Sequence, residues 1–381
     1  MPRKYALLSL LFILCFSFRA SGQAAQASVI HNVHTIQSQV LGEQRTVLVR
    51  LPATYARGNT KFPVAYMLDA HPPQNSMMAG ILDQQAWGGQ MPEMILVGIQ
   101  NVDRGKDMTP TATDPGSGGA DKFLEFIAAE VIPLVDKTYR TQPFRLIAGH
   151  SLGGLFVVHC LASRPDLFNA YIAASPVLRW DKNFVIKEAQ AAFEKNPGLK
   201  KFLYVGLGNE PELLDGYNDF KELLTKRGPK KLDFAFQQFE GENHGSVVLP
   251  AYYAGLRKVF KGWEPPPTGV IGELEVHYKK LSERLNYTVT IPEELLNRIG
   301  YLRLRDGQNE EALAAFRKNA ELYPGSPNVY DSLAEALEKT GQLKKAGENY
   351  EKAYKMAEAA GEGALAKSAK ANYERIVNKI K

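Results

Sequence analysis

Between Val29 and Val248 short apolar runs alternate with longer helical patterns, and this alternation limits the fold more than any other feature of the chain. Strands are expected at Thr46–Leu51, Pro63–Leu68, Met94–Ile99, Phe144–Ala148, Ala170–Ser175, Phe202–Leu207 and Leu232–Phe239. Several are apolar nearly throughout, as a parallel sheet buried on both faces requires. Helices are expected between them, notably at Ala120–Asp136, Leu152–Ser163, Glu212–Lys226 and Ser246–Phe260. The alternation implies an α/β domain with helices on both faces of a mostly parallel sheet.

The stretch "GWEPPPTG", Gly262–Gly269, ends the pattern, because three consecutive prolines continue neither a helix nor a central strand. A first domain over 28–262, a Pro-rich linker over 263–272 and a small all-α region over 273–381 follow from this reading. Within the last, only "YTVTI", Tyr287–Ile291, reads as a strand. The region repeats itself at a spacing of 34 residues: Leu296, Ile299, Gly300, Gly307, Ala312 and Phe316 recur as Tyr330, Leu333, Ala334, Gly341, Ala346 and Tyr350. Period and positions resemble tetratricopeptide repeats, helix pairs that stack through small and aromatic residues. Asn319 departs from the small residue such a repeat carries there. The segments Glu273–Leu285 and Gly363–Ile380 are expected to cap the two ends.

At the other terminus, two basic residues precede an apolar run from Ala6 to Phe18, and small residues follow. This is the pattern of a secretory signal peptide over 1–27, cleaved after Gly22 or Ala27, and it implies a secreted or periplasmic protein with no membrane span after its removal. The formal charge of +5 includes Arg3, Lys4 and Arg19, so the mature chain carries +2, which gives no argument for nucleic acid or an anionic membrane. Cys160 is then the one remaining cysteine; it lies in an apolar run and reads as a core residue.

The chemistry is concentrated in "LIAGHSLGGLFVVH", Leu146–His159. Gly149-His150-Ser151-Leu152-Gly153 lies between an expected strand and an expected helix, the context of a nucleophile elbow. The turn is tight enough to demand glycine two positions either side of the serine. The helix start beneath it offers free N–H groups, so a developing oxyanion beside Ser151 would meet the Leu152 amide.

A serine hydroxyl needs a base. His159, His244 and His277 follow Ser151 in the chain. His159 lies two turns along the elbow helix and points away, and His277 lies beyond the linker. His244, in the polar loop "EGENHGSVV" after the last expected strand, is the candidate base. The acid should leave the end of the preceding strand, in "FLYVGLGNEPELLDG"; Glu210 is preferred there, with Asp215 as the rival. A second oxyanion donor is expected in the loop Asp69-Ala70-His71, from the amide of Ala70 or of His71, with Ala70 preferred. His71 has no His or Cys partner nearby, so no metal is implied.

Taken together, "LGEQRTVLVRLPATY", "FPVAYMLDA", "VGIQNVDRGKDMTPT", "GGADKFLEFIAAEVIPLVDKTYRT", "LIAGHSLGGLFVVH", "LFNAYIAASPVLRWD" and "ENHGSVV" resemble the esterase family of α/β-hydrolases that includes esterase D and the enterochelin (siderophore) esterases. The resemblance covers roughly Val29 to Phe260. It implies an α/β-hydrolase fold and a serine ester hydrolase that works through Ser151 and His244 without cofactor. It also implies that "VDRGKDMTPT" and "SPVLRW" border the substrate pocket; Arg104 and Trp180 in these stretches, with His71 in the loop after "PVAYML", are the candidate substrate-binding residues. Asp103, Arg104 and Asp107 have a second reading as residues that pair or cap a turn, and Trp180 as a core residue. An acyltransferase with the same triad, and a partner-binding protein with a vestigial hydrolase domain, are the alternatives. The expected partners are a small-molecule ester and a protein bound by the repeats.

Overall fold

The computed structural model describes residues 31–56 and 60–380. The expected signal peptide lies outside them.

Eight strands form one sheet: β1 (Asn32–Gln37), β2 (Gln44–Arg50), β3 (Phe62–Met67), β4 (Ile95–Ile99), β5 (Thr141–His150), β6 (Ala170–Ala174), β7 (Phe202–Leu207) and β8 (Asp233–Gln238). Their order is β1-β2-β4-β3-β5-β6-β7-β8. β1 and β2 form an antiparallel hairpin, β2 runs antiparallel to β4, and every pair from β4 to β8 is parallel. The parallel strands β3, β4, β6 and β7 are buried along their whole length, which explains their unbroken apolar sequences.

Helices connect the strands: α1 (Pro72–Trp87), α2 (Arg104–Met108), α3 (Ala120–Phe126), α4 (Ile132–Thr138), α5 (Leu152–Ser163), α6 (Trp180–Lys195), α7 (Pro211–Arg227) and α8 (Val248–Val259). The single helix expected over Ala120–Asp136 is α3 and α4 joined through a π-helical turn at Ile127–Val131. α5 is buried from Gly153 to Ala162, because it lies between the sheet and its neighbouring helices. The core runs through both layers, with Phe123, Phe156, Phe168 and Phe220 among its largest members.

Beyond Gly262 the chain forms α9 (Ile271–Leu285), α10 (Glu293–Arg305), α11 (Asn309–Leu322), α12 (Pro327–Lys339), α13 (Leu343–Ala359) and α14 (Gly363–Ile380). Gly300 faces the Phe316 ring so closely that a Cβ there would stand 2.5 Å from it. Leu304, Phe316, Leu333, Ala334, Ala346, Tyr350 and Ile376 join one apolar cluster across these helices. Asn319 is buried within the bundle and donates its side-chain amide to the Glu293 carbonyl at 3.2 Å.

The strand expected at Tyr287–Ile291 is absent: this stretch is irregular, and its polar backbone is satisfied by side chains instead. Val289 N–H donates to Ser282 Oγ at 2.9 Å and the Tyr323 hydroxyl donates to the Ile291 carbonyl at 2.7 Å. The alternating Tyr287, Val289 and Ile291 are buried, Tyr287 against Phe144 of β5, but not in a sheet. Arg284 fixes α9 to the base of the sheet domain. It donates to the carbonyls of Val259 (2.7 Å), Lys258 (3.0 Å) and Lys261 (3.2 Å) at the end of α8 and pairs with Asp233 at 3.2 Å.

Candidate active site

The carboxyl edge of a parallel sheet is where loops from several strands converge, and the polar side chains of this protein gather there. β5 ends at His150, and Ser151 follows at the start of α5 with φ 60° and ψ −117°, outside the regions a residue with a Cβ prefers. The strain is imposed by the turn. Ser151 N–H donates to the Ala174 carbonyl at 2.9 Å, and its own carbonyl accepts from Leu155 at 3.0 Å. A Cβ on Gly149 would stand 2.3 Å from the Gly153 carbonyl oxygen; one on Gly153 would reach Asp69 Oδ2 at 3.1 Å. The first glycine is therefore obligatory, whereas at the second a Cβ would crowd one polar side chain that can shift. The Leu152 amide opens α5 and has no backbone acceptor among the described residues.

Glu210 is the residue before α7, at the exit of β7, and is almost wholly buried. Its Oε1 is hydrogen-bonded to Nδ1 of His244, which stands in the loop after β8 with its ring half exposed. The loop is braced locally: Asn243 Oδ1 accepts from Gly245 N–H at 2.9 Å and Ser246 N–H at 3.0 Å. Asp215 lies one turn into α7, exposed and paired with Arg179 at 2.8 Å, away from His244. The structure thus brings Glu210, not Asp215, to the histidine. Among the described residues no hydrogen bond joins Ser151 to His244. The His244 ring rests against that of His150, with centroids 4.5 Å apart. Burial, the neighbouring His244 and Arg104 hold the His150 imidazole down at about 4, so it is uncharged at neutral pH.

The expectation for Ala70 is corrected. Its amide donates to the Ile99 carbonyl at 3.2 Å and the residue is fully buried, so it has no N–H to offer an oxyanion. The exposed His71, which precedes α1, directs its amide only to the Asp69 carbonyl two residues back, at 2.7 Å. Among the described residues no cluster of His, Cys, Asp or Glu could hold a metal ion.

Arg104 pairs with Asp69, Nε to Oδ1 at 2.6 Å and Nη2 to Oδ2 at 3.2 Å, and reaches the His150 carbonyl at 3.2 Å. It braces the loops under the elbow while keeping part of its side chain exposed. Asp103 caps α2 by accepting from Lys106 N–H at 3.1 Å, and Asp107 is buried against Arg45 at 2.6 Å. Trp180 is half-buried on the core, with its indole N–H donating to Thr111 Oγ1 at 3.0 Å. His159 is buried between Glu188 and Asp121 on the far side of α5, and Cys160 is buried. Sequence reasoning missed Asp69, Asn101 and Ser175. Asn101 joins Arg104 on Asp69, and the Ser175 hydroxyl donates to Glu210 Oε2. The one available signal for Ser175 was a polar residue closing an apolar strand.

The sequence model of the "Putative esterase" family matches residues 38–254, more than half of the chain. The ferri-bacillibactin esterase BesA of Bacillus subtilis is 28% identical over 274 residues, covering 63% of this chain and 93% of that protein. The siderophore enterobactin esterase of Emericella nidulans is 45% identical over 170 residues, which cover 36% of this chain and 55% of the relative. Among solved structures, an IroE-like serine hydrolase from Shewanella oneidensis is 28% identical and superposes with a TM-score of 0.70 over 77% of this chain and 100% of its own. The chain belongs to the Putative esterase family and is a carboxylic ester hydrolase.

Proposed function

We propose that the protein is a secreted serine esterase that opens siderophore-type esters through a Ser151–His244–Glu210 triad and an acyl-enzyme. The observation that carries this reading is the buried Glu210 carboxylate held on His244 Nδ1, at the same sheet edge where Ser151 is strained out of its turn. In this mechanism His244 takes the hydroxyl proton on its other ring nitrogen as Ser151 attacks the ester carbonyl, and Glu210 stabilises the imidazolium. The Leu152 amide binds the oxyanion, with the His71 amide as second donor once it turns from the Asp69 carbonyl. The imidazolium then protonates the leaving alcohol, and water, activated by the same histidine, releases the acid. The missing contact between Ser151 and His244 closes when substrate displaces the ring from His150. Arg104, Trp180 and His71 border the entrance. Similarity to enzymes named for ferri-bacillibactin and enterobactin supports a siderophore ester as substrate. The apolar leader supports export, and the 34-residue period supports reading α10–α13 as two tetratricopeptide repeats that take a protein partner.

The test is hydrolysis of p-nitrophenyl acetate and of enterobactin by wild type and Ser151→Ala. Both rates are expected to fall at least about a thousandfold in the variant, with the fold kept. Turnover retained by Ser151→Ala would overturn the nucleophile. Release of an acyl–alcohol adduct instead of free acid would make the enzyme a transferase.

A further inference from the structure

Glu210 divides its two carboxylate oxygens between different tasks. Oε1 accepts from His244 Nδ1, while Oε2 accepts from the Gly208 amide at 2.9 Å and from the hydroxyl of Ser175. Ser175 follows β6 directly and is fully buried. Its amide donates to the Gly206 carbonyl at 2.7 Å, tying the ends of β6 and β7 together beside the acid.

We propose that Ser175 is a positioning residue of the ester hydrolase: its hydroxyl fixes the rotation of the Glu210 carboxylate so that Oε1 faces His244. This rests on the triad reading above. Two features support it. Glutamate has one more rotatable bond than aspartate, and a carboxylate at the end of it turns freely about Cγ–Cδ unless both oxygens are held. One donor, the Gly208 amide, remains on Oε2 if the hydroxyl is removed, and the Glu210 side chain is only 2% exposed, so bulk water does not replace the lost bond. The backbone is the second feature. Ser175 has φ 42°, a left-handed conformation in which a Cβ is strained and glycine is not. Serine at this position carries the strain of a side chain together with a hydroxyl that reaches Glu210. The hydroxyl touches neither Ser151 nor, in the proposed reaction, the ester; it acts through Glu210 alone.

The experiment is a double-mutant cycle in the full chain, read as kcat and KM for p-nitrophenyl acetate. The variants are Ser175→Ala, Ser175→Gly, Glu210→Gln and Ser175→Ala/Glu210→Gln. Both single variants of Ser175 are expected to lose roughly tenfold in kcat with KM changed less than about twofold, and the double variant to be no slower than Glu210→Gln within about twofold. Ser175→Gly relaxes the left-handed backbone, so its loss reports the hydroxyl and not strain, and it carries the test if Ser175→Ala does not fold. Wild-type kcat in a folded Ser175 variant, or a double variant that loses the full product of the two single losses, would overturn the proposal while Glu210→Gln remains slow. Wild-type kcat in Glu210→Gln would instead overturn the triad, and the role of Ser175 with it.

Discussion

Arg104 holds Asp69 in a two-pronged ion pair, Nε to Oδ1 at 2.6 Å and Nη2 to Oδ2 at 3.2 Å. Asp69 has φ 56° and follows the end of β3, so the pair stabilises a strained residue immediately before Ala70 and His71. The Arg104 side chain is 39% exposed, and solvent screening reduces the strength of the pair. Arg104→Ala is expected to lower stability by about 1 kcal/mol, read by urea unfolding. Arg104→Lys should recover little of it, because an ammonium cannot make both contacts in one plane. Equal stability of Arg104→Ala and wild type would show that the loop holds Asp69 unaided.

The two glycines of the elbow should respond differently. Gly149→Ala drives a Cβ to 2.3 Å from the Gly153 carbonyl oxygen, where backbone must move. It is expected to destabilise the fold by more than about 3 kcal/mol or to prevent soluble expression. Gly153→Ala meets the Asp69 side chain at 3.1 Å, a contact that can yield by tenths of an ångström, and should fold with a smaller loss. Thermal denaturation of the two variants side by side checks the ranking, and a Gly149→Ala protein as stable as Gly153→Ala would contradict it.

His159 carries a pH dependence unrelated to the active site. Burial pulls its pKa down, but the hydrogen bond and charge of Glu188 and the charge of Asp121 outweigh burial and leave it raised. Both ring nitrogens face a carboxylate, Nδ1 to Glu188 at 2.8 Å and Nε2 to Asp121 at 3.0 Å. A raised folded-state value means the folded form binds the proton more tightly than the unfolded form. The stabilisation is therefore complete below about pH 6.5, the unfolded value, and disappears as pH rises through the folded one. The difference in melting temperature between wild type and His159→Gln should shrink as pH is raised from about 5.5 to 9. A difference that stays constant with pH would show that the histidine contributes through packing alone.

Deleting the tail after Gly262 should leave the chemistry and weaken the fold. Tyr287 packs on Phe144 with ring centroids 5.3 Å apart, and the Arg284 guanidinium lies over Phe202 at 4.7 Å while capping the end of α8. Truncation uncovers both phenylalanines and returns three carbonyls of the α8 end to solvent. A loss of roughly 3 kcal/mol, or about 10 °C in melting temperature, is expected. At low temperature kcat for a small ester should match wild type, since Ser151, His244 and Glu210 lie at the other end of the strands. An unchanged melting temperature would mean that α9 contributes nothing to the base of the sheet.

The residues that meet at the sheet edge were readable because their sequence context is restrictive: glycines on both sides of Ser151, a polar loop after the last strand for His244, and a strand exit for Glu210. What escaped depends on partners distant in the chain. β1, "NVHTIQ", is a largely exposed edge strand and so carries no apolar run to reveal it. α1 opens with two prolines and its buried residues, among them Asn75 and Gln85, form no clean apolar stripe. "YTVTI" alternates like a strand, yet its backbone bonds to side chains and joins no sheet. The Ala70 amide is taken by the Ile99 carbonyl across the sheet and the His71 amide by the local Asp69 carbonyl, and sequence alone does not place the first of these acceptors. Ser175 looked like any serine after a strand until the fold set it against Glu210.

β5 connects the two ends of the molecule: Phe144 near its foot meets Tyr287, and His150 at its head precedes Ser151. Seven steps of extended chain separate Phe144 from Ser151 by about 23 Å. The contact between Tyr287 and Phe144 therefore lies a full strand length from the edge where Ser151 stands. A change at the foot of β5 reaches Ser151 only through the strand itself, so the terminal helices act on the fold and not on the reacting groups.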